Sequence, residues 1–489
     1  MNMKNIFDKA IGLLFGIVFA VVFCVLVFFH EYTRFSFHFI FSNLVLFIFA
    51  LVFLLICKKI LKKKEFKYEK FIFYFLILGM FLFEYLLLKT VLFQSGWDVG
   101  LVMRSAYENV QNHVFNSNKF YFETYPNNLL LLFYEMFIAL FVNFVGKDYL
   151  TFNFILAFIN VVIFVISGIL LYFCIKKATD NNRISLIGLF VYIILVGSSG
   201  WVLIPYSDSI GIFFPTVLLF LFLFLKKKKF LMIMIVSLIS FVSFHIKPQL
   251  FIMFIAFVIV YFFNMFFDKK IKDIFLSSLI VVGSFLVINY GYSLLEHKVQ
   301  LDNDKSLGIS HFLMMGFNYE QNGVYSEDDI NFSRSFTDPD VRKKENLKVL
   351  KSRIYSYGPF KLIQHFKNKI LVNFDDGNFF FGEEGTFYDY IYFENSKGFK
   401  FLSKFVYSNG KYYKYIATIR QLFWIFILML LPINLCGNNT NELLIAKLSL
   451  IGLLLFELLF EARSRYLFCY VPIFIFVAMY QMYCLFCKK

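Results

Sequence analysis

Long apolar runs separated by short polar breaks dominate this chain. Each run has roughly 17 to 25 residues, the length that crosses about 30 Å of hydrocarbon as a helix. A β-barrel would instead show short segments of alternating polarity. The pattern predicts an all-α polytopic membrane protein with about 12 to 13 membrane segments. The predicted apolar stretches are 11–29, 39–57, 71–93, 129–145, 150–175, 184–200, 210–225, 230–246, 249–267, 274–292, 416–433, 443–460 and 467–486.

One long hydrophilic segment, 294–415, interrupts this pattern. It is too long for an ordinary connection, and aromatic residues recur in it, as around His311 and in 379–381. Asp338-Pro339 predicts a turn, and the charged stretch after it predicts a helix. The chain is therefore expected to have three parts. They are an N-terminal transmembrane bundle over 1–293 with its first extracytoplasmic loop at 94–128, an extracytoplasmic cap domain over 294–415, and C-terminal transmembrane helices over 416–489.

Composition excludes a soluble protein and changes how the charge is interpreted. The chain is 60% hydrophobic and only 17% charged, with a net charge of +15 and a mean hydropathy of +0.69. The lysines cluster at the ends of apolar runs, which is typical of topology signals, and no nucleic-acid-binding motif accompanies them. We therefore expect a lipid bilayer and no nucleic acid as partner. The abundance of Phe, Lys, Ile and Asn suggests an AT-rich bacterial genome and a multi-pass protein of the plasma membrane. The lysine clusters are 58–59, 62–64, 226–229, 269–270 and 488–489.

Counting membrane crossings from the two ends of the chain places Asp98 on different sides of the membrane. If the basic connection 58–70 is cytoplasmic, Asp98 lies outside. Counting back from 488–489 places 461–466, 294–415 and 206–208 outside, but Asp98 inside. One stretch between Pro126 and Phe173 is therefore expected to be re-entrant or interfacial, and the sequence does not show which. Backbone at membrane depth that does not span needs protein or a water-filled cavity around it, which indicates a cavity near this region.

Four polar groups lie on the outer side under this topology, and each permits two interpretations. Asp98 follows an apolar run and is a candidate base, or it only begins the next helix. The cations of the third and fourth groups suit a phosphate. Alternatively, Lys247 extends to the interface, and the arginines pair with Glu457 or Glu461. The groups are Asp98 with Arg104; Tyr125, Asn127 and Asn128; Tyr206 and Asp208 with His245 and Lys247; and Arg463, Arg465 and Tyr466.

The order of these motifs resembles the GT-C glycosyltransferases, in the branch of protein O-mannosyltransferases and aminoarabinose transferases. The resemblance covers roughly 71–290 and 462–472. It implies that Asp98 is the catalytic base, that the donor is a sugar on a polyprenyl phosphate, and that Lys247 and Arg465, with Arg463 beside them, hold the phosphate. It departs from the family pattern where Val99 follows Asp98 in place of a second acid. The expected substrate-binding residues are Arg104, Tyr125, Asn127, Asn128, Tyr206, Asp208, His245, Tyr466 and His311.

The resulting hypothesis is an inverting membrane glycosyltransferase that modifies a cell-surface glycan, lipid or protein on the extracytoplasmic side. The alternatives are a polysaccharide polymerase or ligase, a lipid-linked glycan transporter, and a structural membrane subunit. A polymerase or ligase needs no acid directly after an early span, and a transporter needs polar residues deep within spans. A divalent cation between Asp98 and Asp208 is a further possibility that no spacing requires, and no other cofactor is expected.

Overall fold

The computed structural model describes residues 3–29, 38–62, 68–433 and 439–487. Lys63, Lys64, Cys436, Lys488 and Lys489 lie outside the described residues. The described chain is helical except for short connections and two paired strands, β1 (Phe93–Ser95) and β2 (Tyr388–Ile391). The helices are α1 Met3–Phe28, α2 Asn43–Lys62, α3 Glu69–Val91, α4 Asp98–Gln111, α5 Lys119–Thr124, α6 Leu129–Phe144, α7 Tyr149–Thr179, α8 Asn182–Tyr192, α9 Ser207–Gly211, α10 Phe213–Phe224, α11 Lys229–Ile246, α12 Ile252–Phe267, α13 Ile271–Val299, α14 Gly308–Gly316, α15 Glu327–Arg334, α16 Pro339–Phe374, α17 Lys397–Val406, α18 Tyr413–Leu430, α19 Asn441–Leu459, α20 Arg465–Phe468 and α21 Val471–Phe486.

The predicted class, an all-α polytopic membrane protein, is confirmed. Ten of the described helices are long and apolar enough to cross a membrane. The apolar helices α8 and α21 are shorter, and α19 carries three charged residues, Glu442, Lys447 and Glu457. Every predicted apolar stretch falls on a helix.

Contacts at the helix ends define two faces of the bundle. On the face that we call the lysine face, Lys226 pairs with Glu442 and Lys229 pairs with Asp273. On the opposite face, the cap face, the bundle carries residues 300–412. In the described chain twelve helices connect the two faces. Each of them has one end that contacts residues of the lysine face and one end that contacts residues of the cap face. These helices are α1, α2, α3, α7, α8, α10, α11, α12, α13, α18, α19 and α21.

Helix α6 begins and ends on the cap face. At its start, Asn128 Nδ2 donates to the Tyr121 hydroxyl (2.7 Å), and near its end Gln111 Nε2 donates to Asn143 Oδ1 (2.9 Å). The next helix also starts on this face, since Asn153 Nδ2 donates to the β1 carbonyl of Phe93 (3.0 Å). We infer that α6 is the stretch between 126 and 173 that does not cross the membrane. With one crossing fewer, the counts from the two ends of the chain place Asp98 on the same side.

The surface of α6 agrees with a position at the lipid boundary. The Phe137 and Phe144 side chains are 70% and 90% exposed, while the opposite side of the helix packs against α4. Large apolar side chains on such an exposed face are compatible with lipid and unfavourable in water.

Cysteine labelling tests the position of α6. In a background without native cysteines, Asn127→Cys and Lys147→Cys are expected to react with a membrane-impermeant maleimide added from the same side, because both ends of α6 lie on the cap face. Lys177→Cys, at the lysine-face end of α7, is the matched control and is expected to react only from the other side. Opposite accessibility of Asn127→Cys and Lys147→Cys would show that α6 crosses.

The cap is shorter than 294–415 and is anchored in the bundle. Helix α13 continues to Val299 and α18 starts at Tyr413, so the connecting segment is 300–412. As predicted, a turn precedes a charged helix: the Asp338 carboxylate accepts from the backbone N–H groups of Asp340 and Val341 and caps α16. The last turn of α16 enters the bundle, where the Phe374 ring lies 6.5 Å from that of Phe19.

A two-stranded antiparallel sheet ties the cap to the segment before Asp98. Phe93 of β1 pairs with Ile391 of β2, and Gln94 pairs with Tyr390. Beyond the sheet, the Gly96 N–H donates to the Phe387 carbonyl (3.1 Å). The cap and the loop that contains Asp98 therefore share backbone hydrogen bonds.

Candidate functional site

Asp98 is the first residue of α4 and is half-buried on the cap face. The Tyr121 hydroxyl hydrogen-bonds to its carboxylate. Burial raises the pKa of the Asp98 carboxyl, and the nearby Arg465 and Arg463 counteract part of this rise. A carboxylate with a raised pKa, held by one hydroxyl beside two cations, is suited to accept a proton.

An aromatic wall places Arg465 next to Asp98. The rings of Trp97 and Tyr206 lie 5.2 Å apart in an edge-to-face arrangement. Cζ of Arg465 lies 4.5 Å from the centroid of Trp97 and 5.7 Å from that of Tyr206. Such cation–π contacts hold a guanidinium in place without neutralising its charge. Arg465 is therefore fixed beside the acid and keeps its charge for other partners.

Asp208 and Lys247 form a buried ion pair in the same site. Asp208 is fully buried at the start of α9, and its Oδ1 contacts Nζ of Lys247. The Lys247 ammonium also lies 4.3 Å from the centroid of the Tyr466 ring. Oδ2 of Asp208 is 3.8 Å from Nη1 of Arg465. The Asp208 carboxylate therefore lies between Lys247 and Arg465 and attracts both cations.

The two arginines contact two further carboxylates. Nε of Arg463 lies 2.9 Å from Oε1 of Glu461, and its Nη1 contacts Glu384. Nε of Arg465 lies 3.1 Å from Oε2 of Glu384. The Tyr466 hydroxyl donates to Oε2 of Glu461 (3.1 Å). Glu384 comes from the cap, and no sequence motif surrounds it.

Several polar atoms of this site lack an aligned hydrogen bond within the described residues. They are Oδ2 of Asp208, both carboxylate oxygens of Glu384, and Nε and Nη1 of Arg465. These atoms have neighbours of opposite charge: Oδ2 of Asp208 is 3.8 Å from Nη1 of Arg465, and Oε2 of Glu384 is 3.1 Å from Nε of Arg465. Leaving buried polar atoms unsatisfied costs roughly 1–3 kcal/mol for each group. A polar, charged ligand would satisfy them, which makes this cluster a candidate binding site.

A constrained loop of the cap presents Glu384. The Asp376 carboxylate accepts from the backbone N–H groups of Asn378 (2.8 Å) and Phe380 (2.7 Å). The indole N–H of Trp201 donates to the Phe379 carbonyl (3.1 Å). Phe379 and Phe380 have φ angles of 54° and 62°, a left-handed conformation that costs roughly 1–2 kcal/mol for each side-chain-bearing residue. Such strain persists where surrounding contacts fix it, and it occurs often at functional sites.

Packing fixes the turn that carries Glu384 itself. Glu384 lies in a short π-helical turn, Phe381–Gly385. The Phe381 ring lies so close to Gly200 that a Cβ atom there would be 1.9 Å from the ring. Glycine at position 200 is therefore required for the turn to approach the bundle.

Most predicted site residues lie together. Asn128 Nδ2 donates to the Tyr121 hydroxyl (2.7 Å) and is 3.4 Å from the Tyr206 hydroxyl. The Tyr125 ring is 5.3 Å from that of Tyr121, and Asn127 is exposed beside Asn128. The structure thus brings together Asp98, Tyr125, Asn127, Asn128, Tyr206, Asp208, Lys247, Arg463, Arg465 and Tyr466, and it adds Trp97, Tyr121, Glu384 and Glu461.

Three predicted substrate-binding residues have other surroundings. Arg104 pairs with Asp389 of β2 at 2.5 Å. The His245 ring stacks on Tyr292 with the centroids 3.8 Å apart. His311 is fully buried within the cap, where its Nδ1 lies 2.8 Å from Ser333 Oγ and burial lowers its pKa to about 4. The structure gives none of these three a contact with the site.

The hypothesis of a cation between Asp98 and Asp208 gains no support. Within the described ranges, no three His, Cys, Asp or Glu side chains are arranged to hold a metal ion. Asp208 is instead neutralised by Lys247.

The fold defines a polytopic α-helical integral membrane protein with a polar, charged cluster beneath a cap. A family model described as "Conserved hypothetical integral membrane protein" matches residues 3–484. The chain belongs to this family. Comparison with curated proteins and with solved structures gives no match.

Proposed function

We propose that this protein is an inverting glycosyltransferase that moves a sugar from a polyprenyl-phosphate donor to a hydroxyl acceptor on the extracytoplasmic side of the membrane. One observation carries the proposal. The carboxylate of Asp98, the half-buried guanidinium of Arg463 and the buried guanidinium of Arg465 lie together at the cap-face ends of membrane helices. Their neighbouring polar atoms lack aligned hydrogen bonds.

The arrangement fits a single displacement. The acceptor hydroxyl gives its proton to Asp98 while its oxygen attacks the anomeric carbon. The bond from that carbon to the phosphate oxygen breaks, and the lipid phosphate leaves with the bonding electrons. Attack from the side opposite the leaving group inverts the anomeric centre.

The cations act on the charge that develops on the leaving phosphate. Guanidinium groups suit phosphate oxygens because they donate two parallel hydrogen bonds. In a buried site they stabilise developing charge more strongly than in water, because they are already oriented. Lys247 contributes indirectly: it pairs with Asp208 and so offsets the negative charge of that carboxylate beside Arg465.

A transfer assay tests the proposal. Purified protein is supplied with a labelled sugar on a polyprenyl monophosphate, the same sugar on a diphosphate, and extracts of cell-surface acceptors. Transfer of one sugar from the monophosphate is expected. Extension of an oligosaccharide from a diphosphate would indicate a polymerase or ligase. Movement of the intact lipid-linked sugar across proteoliposomes, without transfer, would indicate a transporter.

The pKa of Asp98 predicts the acid limit of activity. A base must be deprotonated, so activity falls as the pH drops through the pKa of Asp98. Because burial raises this pKa, the acid limb of kcat/KM is expected above about pH 3.9, the ordinary value for aspartate. The measurement is the pH dependence of kcat/KM in the transfer assay, with circular dichroism to verify folding. A limb at or below the ordinary value would contradict the assigned environment.

A further inference from the structure

We infer that the Glu384 carboxylate occupies the anion position between Arg463 and Arg465 when no ligand is bound, and that an entering phosphate group displaces this carboxylate. The inference adds a regulatory step to the proposed function and rests on it for the identity of the natural ligand. The phosphate chemistry itself rests on the two arginines.

The charges of the site require such a displacement. Three cations, Lys247, Arg463 and Arg465, face four carboxylates, Asp98, Asp208, Glu384 and Glu461. The site therefore carries one net negative charge when all groups are ionised. Adding a phosphate without removing a carboxylate would increase this excess in a partly desolvated site, where like charges repel strongly.

Glu457 is a further buried acid near the site, but it does not alter the net charge of the site. Glu457, at the cap-face end of α19, is influenced by Lys369 as well as by Lys247. Nζ of Lys369 donates to the carbonyls of Gly316 (2.8 Å) and Phe460 (2.5 Å). Glu457 and Lys369 together add no net charge.

Glu384 is the carboxylate that can leave. Asp208 is fully buried on a helix of the bundle, and Lys247 holds it. Glu461 is held by Tyr466 and Arg463 and directly follows α19. Glu384 contacts both guanidinium groups, yet neither of its oxygens has an aligned hydrogen bond within the described residues. Its carboxylate thus has the position and charge of a bound anion, held by ion pairs with the same two guanidinium groups that would bind a phosphate.

A short stretch of backbone connects the Glu384 turn to the segment that carries Asp98. Two consecutive left-handed aromatic residues, Phe379 and Phe380, precede the turn of Glu384. β2 begins four residues after Glu384 and pairs with β1, directly before Trp97 and Asp98. Phosphate entry is therefore linked through a short stretch of backbone to the segment that carries the base.

Phosphate binding to Glu384→Gln tests the inference. The probes are dodecyl phosphate and inorganic phosphate, titrated calorimetrically into the full-length protein in maltoside micelles, with dodecanol as the neutral control. Removing the competing charge is expected to tighten dodecyl phosphate binding on the order of tenfold, the effect of one like charge in a partly desolvated site. A smaller affinity for inorganic phosphate than for dodecyl phosphate would assign the site to a lipid phosphate, and equal affinities would assign it to soluble phosphate.

Three variants make the result specific. Glu383→Gln removes the same charge from the neighbouring position of the turn and is expected to leave the affinity unchanged. Glu384→Asp keeps the competing charge and is expected to bind like the wild type. Arg465→Ala is expected to lose binding, which locates the site. Unchanged or weaker binding in Glu384→Gln would overturn the inference, because Glu384 would then be irrelevant or would position the arginines.

The binding assay separates this inference from the proposed function. Tighter phosphate binding in Glu384→Gln without any sugar transfer by the wild type would retain the displaced carboxylate and reject the glycosyltransferase. Sugar transfer by the wild type without tighter phosphate binding in Glu384→Gln would retain the glycosyltransferase and reject the displaced carboxylate.

Discussion

Replacing Asp98 with asparagine is expected to lower kcat for sugar transfer on the order of 10² to 10⁴-fold, the usual contribution of a general base. The amide preserves the shape of the side chain and its hydrogen bond with Tyr121 but cannot accept the acceptor's proton. Donor binding should survive, because the variant keeps both guanidinium groups that are assigned to the phosphate. The measurement is transfer from a defined polyprenyl-phosphate sugar, with dodecyl phosphate binding as the second readout.

Asp389→Asn is the matched control for this prediction. Asp389 is an acid of the same neighbourhood, on β2 beside Gly96, and it pairs with Arg104 at the surface. Exposed ion pairs of this kind contribute roughly 0–1 kcal/mol, so transfer should stay near the wild-type rate. Wild-type transfer by Asp98→Asn would exclude Asp98 as the base.

Replacing Arg465 with alanine is expected to abolish both transfer and phosphate binding. The variant removes the guanidinium that lies on Trp97 and contacts Asp208 and Glu384. Losing one partner of a buried, charge-assisted interaction costs roughly 2–5 kcal/mol, which corresponds to a loss of about 30-fold to several thousand-fold in affinity. Calorimetric titration with dodecyl phosphate measures this loss directly.

Arg465→Lys separates charge from geometry. A lysine keeps the positive charge but cannot donate two parallel hydrogen bonds. The variant is therefore expected to bind phosphate more weakly than the wild type and more tightly than Arg465→Ala. Retained phosphate binding in Arg465→Ala would exclude Arg465 as a phosphate ligand.

The sequence predicts most of this site because its residues share one property. Asp98, Asp208, Lys247 and Arg465 each stand in a polar break at the same end of apolar runs, so hydropathy and lysine positions place them on one face. Their actual proximity depends on helix packing. The same argument cannot find Glu384 or Tyr121, which lie within longer polar segments without a recognisable motif. For His311 the sequence shows an aromatic surrounding but not the burial against Ser333 that separates it from the site.

Helix α6 shows why composition alone leaves the topology open. Its length and hydropathy are those of a membrane span. What distinguishes it is its packing along α4 and the position of both its ends, and these are tertiary contacts. The charge pattern still shows that one crossing is missing, because the lysine clusters on either side of 126–173 disagree.

The position of α6 also determines whether the number of membrane crossings is even or odd. With twelve crossings in the described chain, α1 must start on the same face on which α21 ends. The contacts agree, since Asn439 bonds to the carbonyl of Asp8 and the Phe486 ring lies beneath the ammonium of Lys58. A reporter fused ahead of α1 and another fused after α21 therefore sample one compartment. A protease added to intact cells or vesicles will cleave both reporters or neither.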